Sequence, residues 1–295
     1  MHATIRRLLI AHKKIKHKLR NLDNEDVINI GSEKIISYKN SYFKKLLYIL
    51  NIKDIDLGLS YFYNSSIKGN SSSQIFFSGN FQYTIKIIKE SELTTFLKIA
   101  EDYLNYMINN QNTFLVKILG CFTHVQNKNK IHFIIMKNIF STRNIKYIYD
   151  LKGFNVDRKT DHFIKKDKDW INDRYKIDNK LCDNILENIE KDIHFLKIHN
   201  IMDYSLVISV NTIPCNKYFD REYKINKQSN SFTILKQGEY SIGIIDILTS
   251  YGEYKKIEDW FNFLCLCSLN KSCKDPEKYS ERFIKNIYNN LFQKK

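Results

Sequence analysis

Proline is almost missing from this sequence, with 2 in 295 residues, and glycine is scarce at 9. That scarcity excludes collagen-like and low-complexity linker chains and argues against a turn-dense all-β sandwich. No apolar run approaches the roughly 18–20 residues that a membrane-spanning helix needs. Acids are outnumbered, 32 Asp+Glu against 47 Lys+Arg, for a net charge of +15. The surplus favours anionic partners: nucleic acid, an acidic protein or an acidic lipid surface. Cys121, Cys182, Cys215, Cys265, Cys267 and Cys273 include no C-x-x-C pair and no histidine at zinc-ligand spacing. They are expected to be reduced and mostly buried, as in a cytosolic chain. No secretory leader is expected either. The apolar patch from Leu8 to Ala11 is short and has basic residues on both sides. What is present is 43% hydrophobic and 27% charged residues, enough for a folded chain with a sizeable core.

The first twenty residues carry Arg6, Arg7, Lys13, Lys14, Lys16, Lys18 and Arg20 and no acid. They read either as a basic amphipathic helix on an acidic membrane or as a solvated basic segment. Gln74–Ser78 and Gln82–Lys89 are rich in Phe, Tyr, Ile and Thr around a Ser78-Gly79-Asn80 turn, which predicts a hairpin. Ahead of it lies a small-residue turn, residues 68–73, of the kind that can close over phosphates with backbone N–H groups. A helix follows, with Ser91 as the expected N-cap and Leu93, Phe96, Leu97, Ala100, Tyr103, Leu104 and Met107 at helical spacing. Val116–Val125 and Ile131–Lys137 read as strands, and residues 152–177 as loop and turn. A long helix is expected from Asp178 to about His199. Leu206–Val210 and Ser241–Leu248 read as short buried strands around a polar insertion of low order, 211–239. Glu258–Ser268 reads as a helix, and Asp275-Pro276-Glu277 is a helix start with N-cap, Pro at N1 and an acid in the first turn. A smaller β-containing lobe followed by a larger, helix-rich lobe predicts an α+β fold with a cleft suited to a nucleotide.

Three side chains could do chemistry. Lys86 sits on a predicted strand behind the small-residue loop, where phosphoryl-transfer enzymes place a nucleotide-holding lysine; an exposed strand lysine is the bland alternative. Asp203 lies between a long helix and the apolar strand Leu206–Val210. Asp246 lies inside the apolar run Gly243-Ile244-Ile245-Asp246-Ile247-Leu248. A carboxylate there needs a partner: a Mg²⁺ ion on one reading, a buried salt bridge or a helix N-terminus on the other.

The stretch FLKIHNIMDYSLVISV, Phe195 to Val210, closely resembles the signature of the phosphatidylinositol phosphate kinases, a long helix ending in N-I-M-D-Y-S-L-L. Asp150-Leu151-Lys152-Gly153 matches that family's D-L-K-G-S, and Gly243–Leu248 its G-I-I-D-I-L. Tyr83-Thr84-Ile85-Lys86 matches its nucleotide-lysine strand, and Tyr279–Phe283 its closing Y-x-x-R-F. The matches run in family order across about residues 40–295.

The resemblance implies a two-lobed kinase-like α+β fold. Residues 1–39 would form a basic N-terminal segment and 40–295 the catalytic domain, divided into an N-lobe of about 40–150 and a C-lobe of about 151–295. It implies ATP and Mg²⁺ as cofactors. Lys86 would hold ATP phosphates, paired with Glu92 (Glu90 competing), and Ser71, Ser72 and Ser73 would lie over them. Asp203 would orient or deprotonate the inositol hydroxyl, and Asp246 would bind Mg²⁺. Lys152 and Arg158 would contact a phosphate. Tyr254-Lys255-Lys256-Ile257-Glu258 resembles the K-K-L-E of type I enzymes, which phosphorylate the 5-hydroxyl of phosphatidylinositol 4-phosphate. Lys255 and Lys256 would dock on headgroups, each worth about 1 kcal/mol near an acidic surface. Type II enzymes carry Ala where Glu258 stands.

The expected partner is therefore phosphatidylinositol 4-phosphate at the cytoplasmic face of the plasma membrane, bound peripherally, with a homodimer open to the chain. Phe154 and Asp157 depart from the family pattern beside the headgroup contacts, and the phosphate loop has lost a Gly. A type II-like phosphatidylinositol 5-phosphate 4-kinase and a non-catalytic phosphoinositide binder are the alternatives. A protein Ser/Thr kinase would need His-Arg-Asp with an Asn five residues on, but Met202 precedes Asp203 and Ile208 follows at that distance. No DNA- or RNA-binding motif is present, so nucleic acid is not an expected partner.

Overall fold

In a computed structural model of the chain, residues 25–55, 57, 63–64, 74–127, 129–140, 145–153, 164–173, 176–177, 179–211, 223–226, 231–234, 238–252, 275–291 and 293–294 are described. The basic segment 1–20, the small-residue turn 68–73 and the helix read at Glu258–Ser268 lie outside them. The chain divides into two units: one holds the described residues up to Asn110 together with Lys117–Asn138, and the other holds Gln111–Val116 and the described residues from Ile139 onward. Among the described residues, no helix is long and apolar enough to cross a membrane.

Among the described residues, the first unit is a seven-stranded antiparallel sheet with two helices. Its strands are β1 (Glu25–Ile30), β2 (Glu33–Tyr38), β3 (Tyr63–Asn64), β4 (Ile75–Phe77), β5 (Tyr83–Ile88), β6 (Ile118–Gln126) and β7 (Asn129–Lys137). They lie in the order β1-β2-β6-β7-β5-β4-β3. The hairpin expected from residues 74–89 forms as β4 and β5, with Phe77 opposite Thr84. Asn80 makes its turn: Oδ1 accepts from Ser78 Oγ at 2.6 Å and from Gln82 N–H at 3.1 Å. The positive φ falls on Phe81 rather than on Gly79.

Helix α1 (Asn40–Ile49) went unread in the sequence; α2 (Glu90–Asn109) is the helix expected after the hairpin. Its start differs from the expectation. Lys89, not Ser91, precedes the first helical residue, and Glu92 reaches back so that Oε2 accepts the Lys89 N–H at 2.8 Å. The longer acid at N3 thus replaces a serine cap. Phe43 stacks on Phe96 at 6.1 Å, and Phe122 on Phe133 at 5.2 Å, so aromatic pairs supply much of this core.

The second unit is built on a six-stranded sheet. It contains β8 (Ile145–Leu151), β9 (Ile164–Lys165), β11 (Ser205–Asn211), β12 (Tyr223–Asn226), β13 (Ser231–Ile234) and β14 (Gly238–Ile245), in the order β12-β13-β14-β11-β8-β9. The central strand β11 is buried along its whole length. The polar insertion expected across 211–239 is instead partly a hairpin, β12 with β13, that extends this sheet. The two short runs, YKIN and SFTI, carry strand-favouring Tyr, Ile, Phe and Thr inside the otherwise polar stretch. A further pair joins β10 (Lys176–Ile177) to β15 (Gln293–Lys294). The loop read at 152–177 contains β9, β10 and a short helix, α3 (Asp167–Asp173).

Helix α4 (Asn179–Ile198) follows, with Leu181, Ile185, Ile189, Ile193 and Leu196 buried as its periodicity predicts. Its fully buried Asp192 accepts from Thr113 Oγ1 at 2.6 Å and Phe114 N–H at 2.7 Å, so the charge has partners. That fastens residues 111–116 beside β14, where Val116 N–H donates to the Ile244 carbonyl. Cys121 and Cys182 are free and buried; the other cysteines lie outside the described residues.

Helix α5 (Pro276–Asn290) begins as its sequence predicts, with Pro at N1 and Asp275 Oδ1 accepting the Lys278 N–H at 3.0 Å. Burial pushes the Asp275 carboxyl up, but the Lys278 N–H and ammonium together hold it below its ordinary range. Asp275→Ala should cost about 1 kcal/mol in urea unfolding at neutral pH. A depressed carboxyl stabilises above its unfolded pKa of about 3.9 and loses that contribution as pH falls through its folded value. The wild-type and Asp275→Ala stabilities should therefore converge in acid, and a constant gap would contradict this capping role.

Candidate active site

In the first unit, Lys86 lies on β5 and is 6% exposed, which rejects the reading of an exposed strand lysine. Its Nζ donates to Glu92 Oε1 at 3.2 Å. Of the two acids that compete by spacing, Glu92 makes the pair. One residue therefore does two things: Oε2 starts α2 and Oε1 holds Lys86.

In the second unit, strand register brings three chain segments to one end of the sheet. On β11, Leu206 lies opposite Leu151 of β8, and Ser205 lies opposite Ile245 of β14. Lys152 leaves β8, Asp203 precedes β11 and Asp246 follows β14, all at that end. Asp246 thus stands just past its strand rather than inside it, half-buried. Asp203 and Asp246 both have left-handed backbones, with φ of 61° and 60°. Non-glycine residues hold that conformation where surrounding contacts over-determine it, commonly at functional sites. Here Met202 N–H donates to the Thr249 carbonyl and Tyr251 N–H to the Asn200 carbonyl, both at 2.9 Å, tying the two loops together.

Lys152 Nζ bonds the Asp203 carboxylate at 2.7 Å and the Asp203 carbonyl at 2.8 Å. The Asp203 side chain stays 44% exposed, against 18% for Lys152, so its carboxylate remains open to solvent. The Lys152 ammonium, expected at a phosphate, lies on Asp203 among the described residues, beside the position a reactant phosphate would take under that expectation. The rest of the Asp150–Gly153 motif is accounted for locally. Asp150 pairs with Lys166, and Asp167 Oδ1 accepts the Lys152 and Gly153 N–H groups at 3.1 and 2.9 Å. Asp167 escaped the sequence reading, which saw only a polar loop.

Helix α5 braces the same end. Burial raises the Tyr279 phenol above its ordinary range, so it stays protonated and donates to the Tyr204 carbonyl, next to Asp203, at 2.5 Å. Tyr204 meets Tyr279 and Phe283 edge-on at 4.7 and 5.0 Å. Burial draws the Arg282 guanidinium down, while Asp167 and Asp203 act in the opposite sense. The guanidinium carbon sits 4.8 Å from the Tyr279 ring centroid. The Asp150–Gly153, Met202–Ser205, Gly243–Asp246 and Tyr279–Phe283 motifs thus belong to one packed assembly in this unit.

Among the described residues, no three His, Cys, Asp or Glu side chains gather as a metal cluster. Mg²⁺ characteristically takes one or two carboxylates, with water and phosphate oxygens completing its shell. Asp246, half-buried beside the Asp203 loop, fits that donor set. Ser71, Ser72, Ser73, Arg158, Lys255, Lys256 and Glu258 lie outside the described residues.

An antiparallel sheet with a buried lysine–glutamate pair, and a second α+β unit with two loop carboxylates over one sheet end, define a kinase-like protein. The family model described as phosphatidylinositol-4-phosphate 5-kinase matches residues 59–239 and 214–290. The chain belongs to that family. It is 27% identical over 264 residues to a phosphatidylinositol 4-phosphate 5-kinase of Plasmodium falciparum, covering 76% of this chain and 15% of that protein. Phosphatidylinositol 4-phosphate 5-kinase 4 of Arabidopsis thaliana is 24% identical over 82% of this chain and 40% of its own length. Phosphatidylinositol 5-phosphate 4-kinase type-2 alpha of Gallus gallus is 28% identical over 71% of this chain and 65% of its own. The chain thus spans less than two thirds of each of these relatives.

Gly153 offers a local test of this assembly. Its φ is 67°, and an added Cβ would stand 2.9 Å from the Phe283 Cα, a backbone atom that cannot swing aside. Gly153→Ala should destabilise the protein by about 2 kcal/mol or more, from left-handed strain and overpacking together. A melting temperature equal to wild type would contradict the docking of α5 on this glycine.

Proposed function

We propose that the protein transfers the γ-phosphoryl group of ATP to the 5-hydroxyl of phosphatidylinositol 4-phosphate, working at the cytoplasmic face of the plasma membrane. The observation that carries this is the meeting of Lys152, Asp203 and Asp246 at one end of β8, β11 and β14, in a chain of this family. In-line phosphoryl transfer asks a protein mainly to position reactants and to balance developing charge. Asp203 faces outward with one oxygen held by Lys152, and its carboxylate accepts or orients the proton of the attacking hydroxyl. Lys152 keeps that carboxylate in place and adds positive charge beside the transferring group. Asp246 would hold the Mg²⁺, which would supply neutralisation of phosphate charge. Lys86, fixed by Glu92, holds the ATP phosphates, with Ser71, Ser72 and Ser73 as further phosphate contacts. Arg158, Lys255 and Lys256 recognise the anionic headgroup, and the net charge of +15 suits an acidic lipid surface.

The choice of hydroxyl rests on Glu258 within Lys255-Lys256-Ile257-Glu258. The named activity of the Gallus gallus relative keeps the 4-kinase reaction as the second reading.

Purified protein, labelled ATP and Mg²⁺ should be combined with vesicles carrying phosphatidylinositol 4-phosphate, phosphatidylinositol 5-phosphate or neither, beside a generic protein substrate. Label should enter the 4-phosphate lipid. Asp203→Asn should lower turnover by about a hundred- to ten-thousand-fold with vesicle flotation unchanged. Glu258→Ala should move the ratio of products towards the 5-phosphate substrate. Label in protein alone would refute the lipid reading. Vesicle binding without turnover would replace it with a non-catalytic binder.

A further inference from the structure

We infer that Asp167 is a positioning residue for the reaction, acting through Lys152; the inference rests on the proposed function. Where β8 ends, the N–H groups of Lys152 and Gly153 both donate to Asp167 Oδ1, at 3.1 and 2.9 Å. Asp167 is 6% exposed, so water is a poor substitute for these bonds. Together they fix the backbone from which the Lys152 side chain departs. The ammonium then lands 2.7 Å from the Asp203 carboxylate and 2.8 Å from its carbonyl. A backbone released at Lys152 would leave the side chain to hold both contacts without its support.

Asp167 is itself rigidly mounted. It is the first residue of α3, where a negative charge suits the helix N-terminus. Asp169 Oδ2 accepts the Lys166 N–H at 2.9 Å, an acid at N3 closing back on the residue before the helix, as Glu92 does for α2. One turn on, Trp170 is 1% exposed and donates Nε1–H to the Leu291 carbonyl at 2.7 Å. The chain of support runs from this anchored turn through Asp167 to Lys152 and on to Asp203. A carboxylate that merely capped a strand end would not bear on chemistry, whereas one that sets the Lys152 ammonium must.

The test uses the full chain and compares Asp167→Ala, Asp167→Asn, Lys152→Met and the Asp167→Ala/Lys152→Met double variant in the vesicle assay, with melting curves. Asparagine keeps a neutral oxygen able to accept both N–H groups; alanine does not. Asp167→Ala should lower kcat by about a hundredfold with KM for ATP nearly unchanged. Asp167→Asn should stay within about tenfold of wild type, because the hydrogen bonds survive. In the Lys152→Met background, Asp167→Ala should lower kcat little further. If the alanine variant does not fold, Asp167→Ser, too short to reach either N–H, takes its place with the same expectation. Unchanged kcat, or an equal further loss without Lys152, would overturn the inference.

Amide hydrogen exchange on the same variants separates this outcome from failure of the proposed activity. A wild type without turnover refutes the activity, and exchange then decides the inference. Protection lost at residues 152–153 and at 203–205 together supports Asp167 as the support of the pair. Loss confined to 152–153, or no loss at all, overturns it.

Discussion

The Lys152 ammonium touches the Asp203 carboxylate and the Asp203 carbonyl at once, and much of the second unit is arranged so that it can. Asp203 holds a left-handed backbone, which Asp tolerates better than most L-residues but adopts where surrounding contacts favour it. The conformation persists because several groups impose it together. Lys152 grips its two oxygens, Tyr279 grips the next carbonyl and Thr249 grips the amide before it. Left-handed Asp246 sits on the neighbouring loop, so two carboxylates are displayed where strands end rather than buried within them.

Packing turns this local constraint into a property of the unit. Phe283 leaves room only for a glycine at 153, and the aromatic faces of Tyr204, Tyr279 and Phe283 interlock edge-on. Asn286 adds a bond to the Gly153 carbonyl at 2.9 Å. Helix α5 is therefore joined both to the turn that launches Lys152 and to the residue beside Asp203. The first unit carries its own constraint in Lys86 and Glu92, where one carboxylate serves a helix start and a buried ammonium. In both units, a side chain that could do chemistry is fixed by one that also shapes the backbone.

Much of this was legible in the residues, for definite physical reasons. Helix α4 shows its buried face through regular apolar spacing, and α5 announces itself with Asp275 and Pro276. The motifs around Lys86, Asp203 and Asp246 stand out because charged groups occur in apolar frames. The cap of α2 was misread because Ser91 is the usual residue type, whereas Glu92 satisfies the free N–H from three positions on. Helix α3 was invisible: seven residues, three of them Asp, show no periodicity, and burial of Asp167, Asp169 and Trp170 comes from tertiary contacts. The hairpin of β12 and β13 was hidden for a different reason: its runs YKIN and SFTI carry strand-favouring Tyr, Ile, Phe and Thr, but they are only four residues long and lie within a polar stretch. Asp167 could have been found from Lys166-Asp167-Lys168-Asp169, in which an acid stands three residues after the helix-preceding lysine, as Glu92 follows Lys89.

Because the account centres on Lys152 and Asp203 acting as one unit, a double-mutant cycle on kcat tests it most directly. Lys152→Met, Asp203→Asn and the double variant would be assayed on phosphatidylinositol 4-phosphate vesicles beside the wild type. Residues that act together are strongly non-additive, so the double variant should be no slower than the worse single one within about threefold. Losses that multiply in the double variant, or a wild type that leaves the lipid unphosphorylated, would contradict the account.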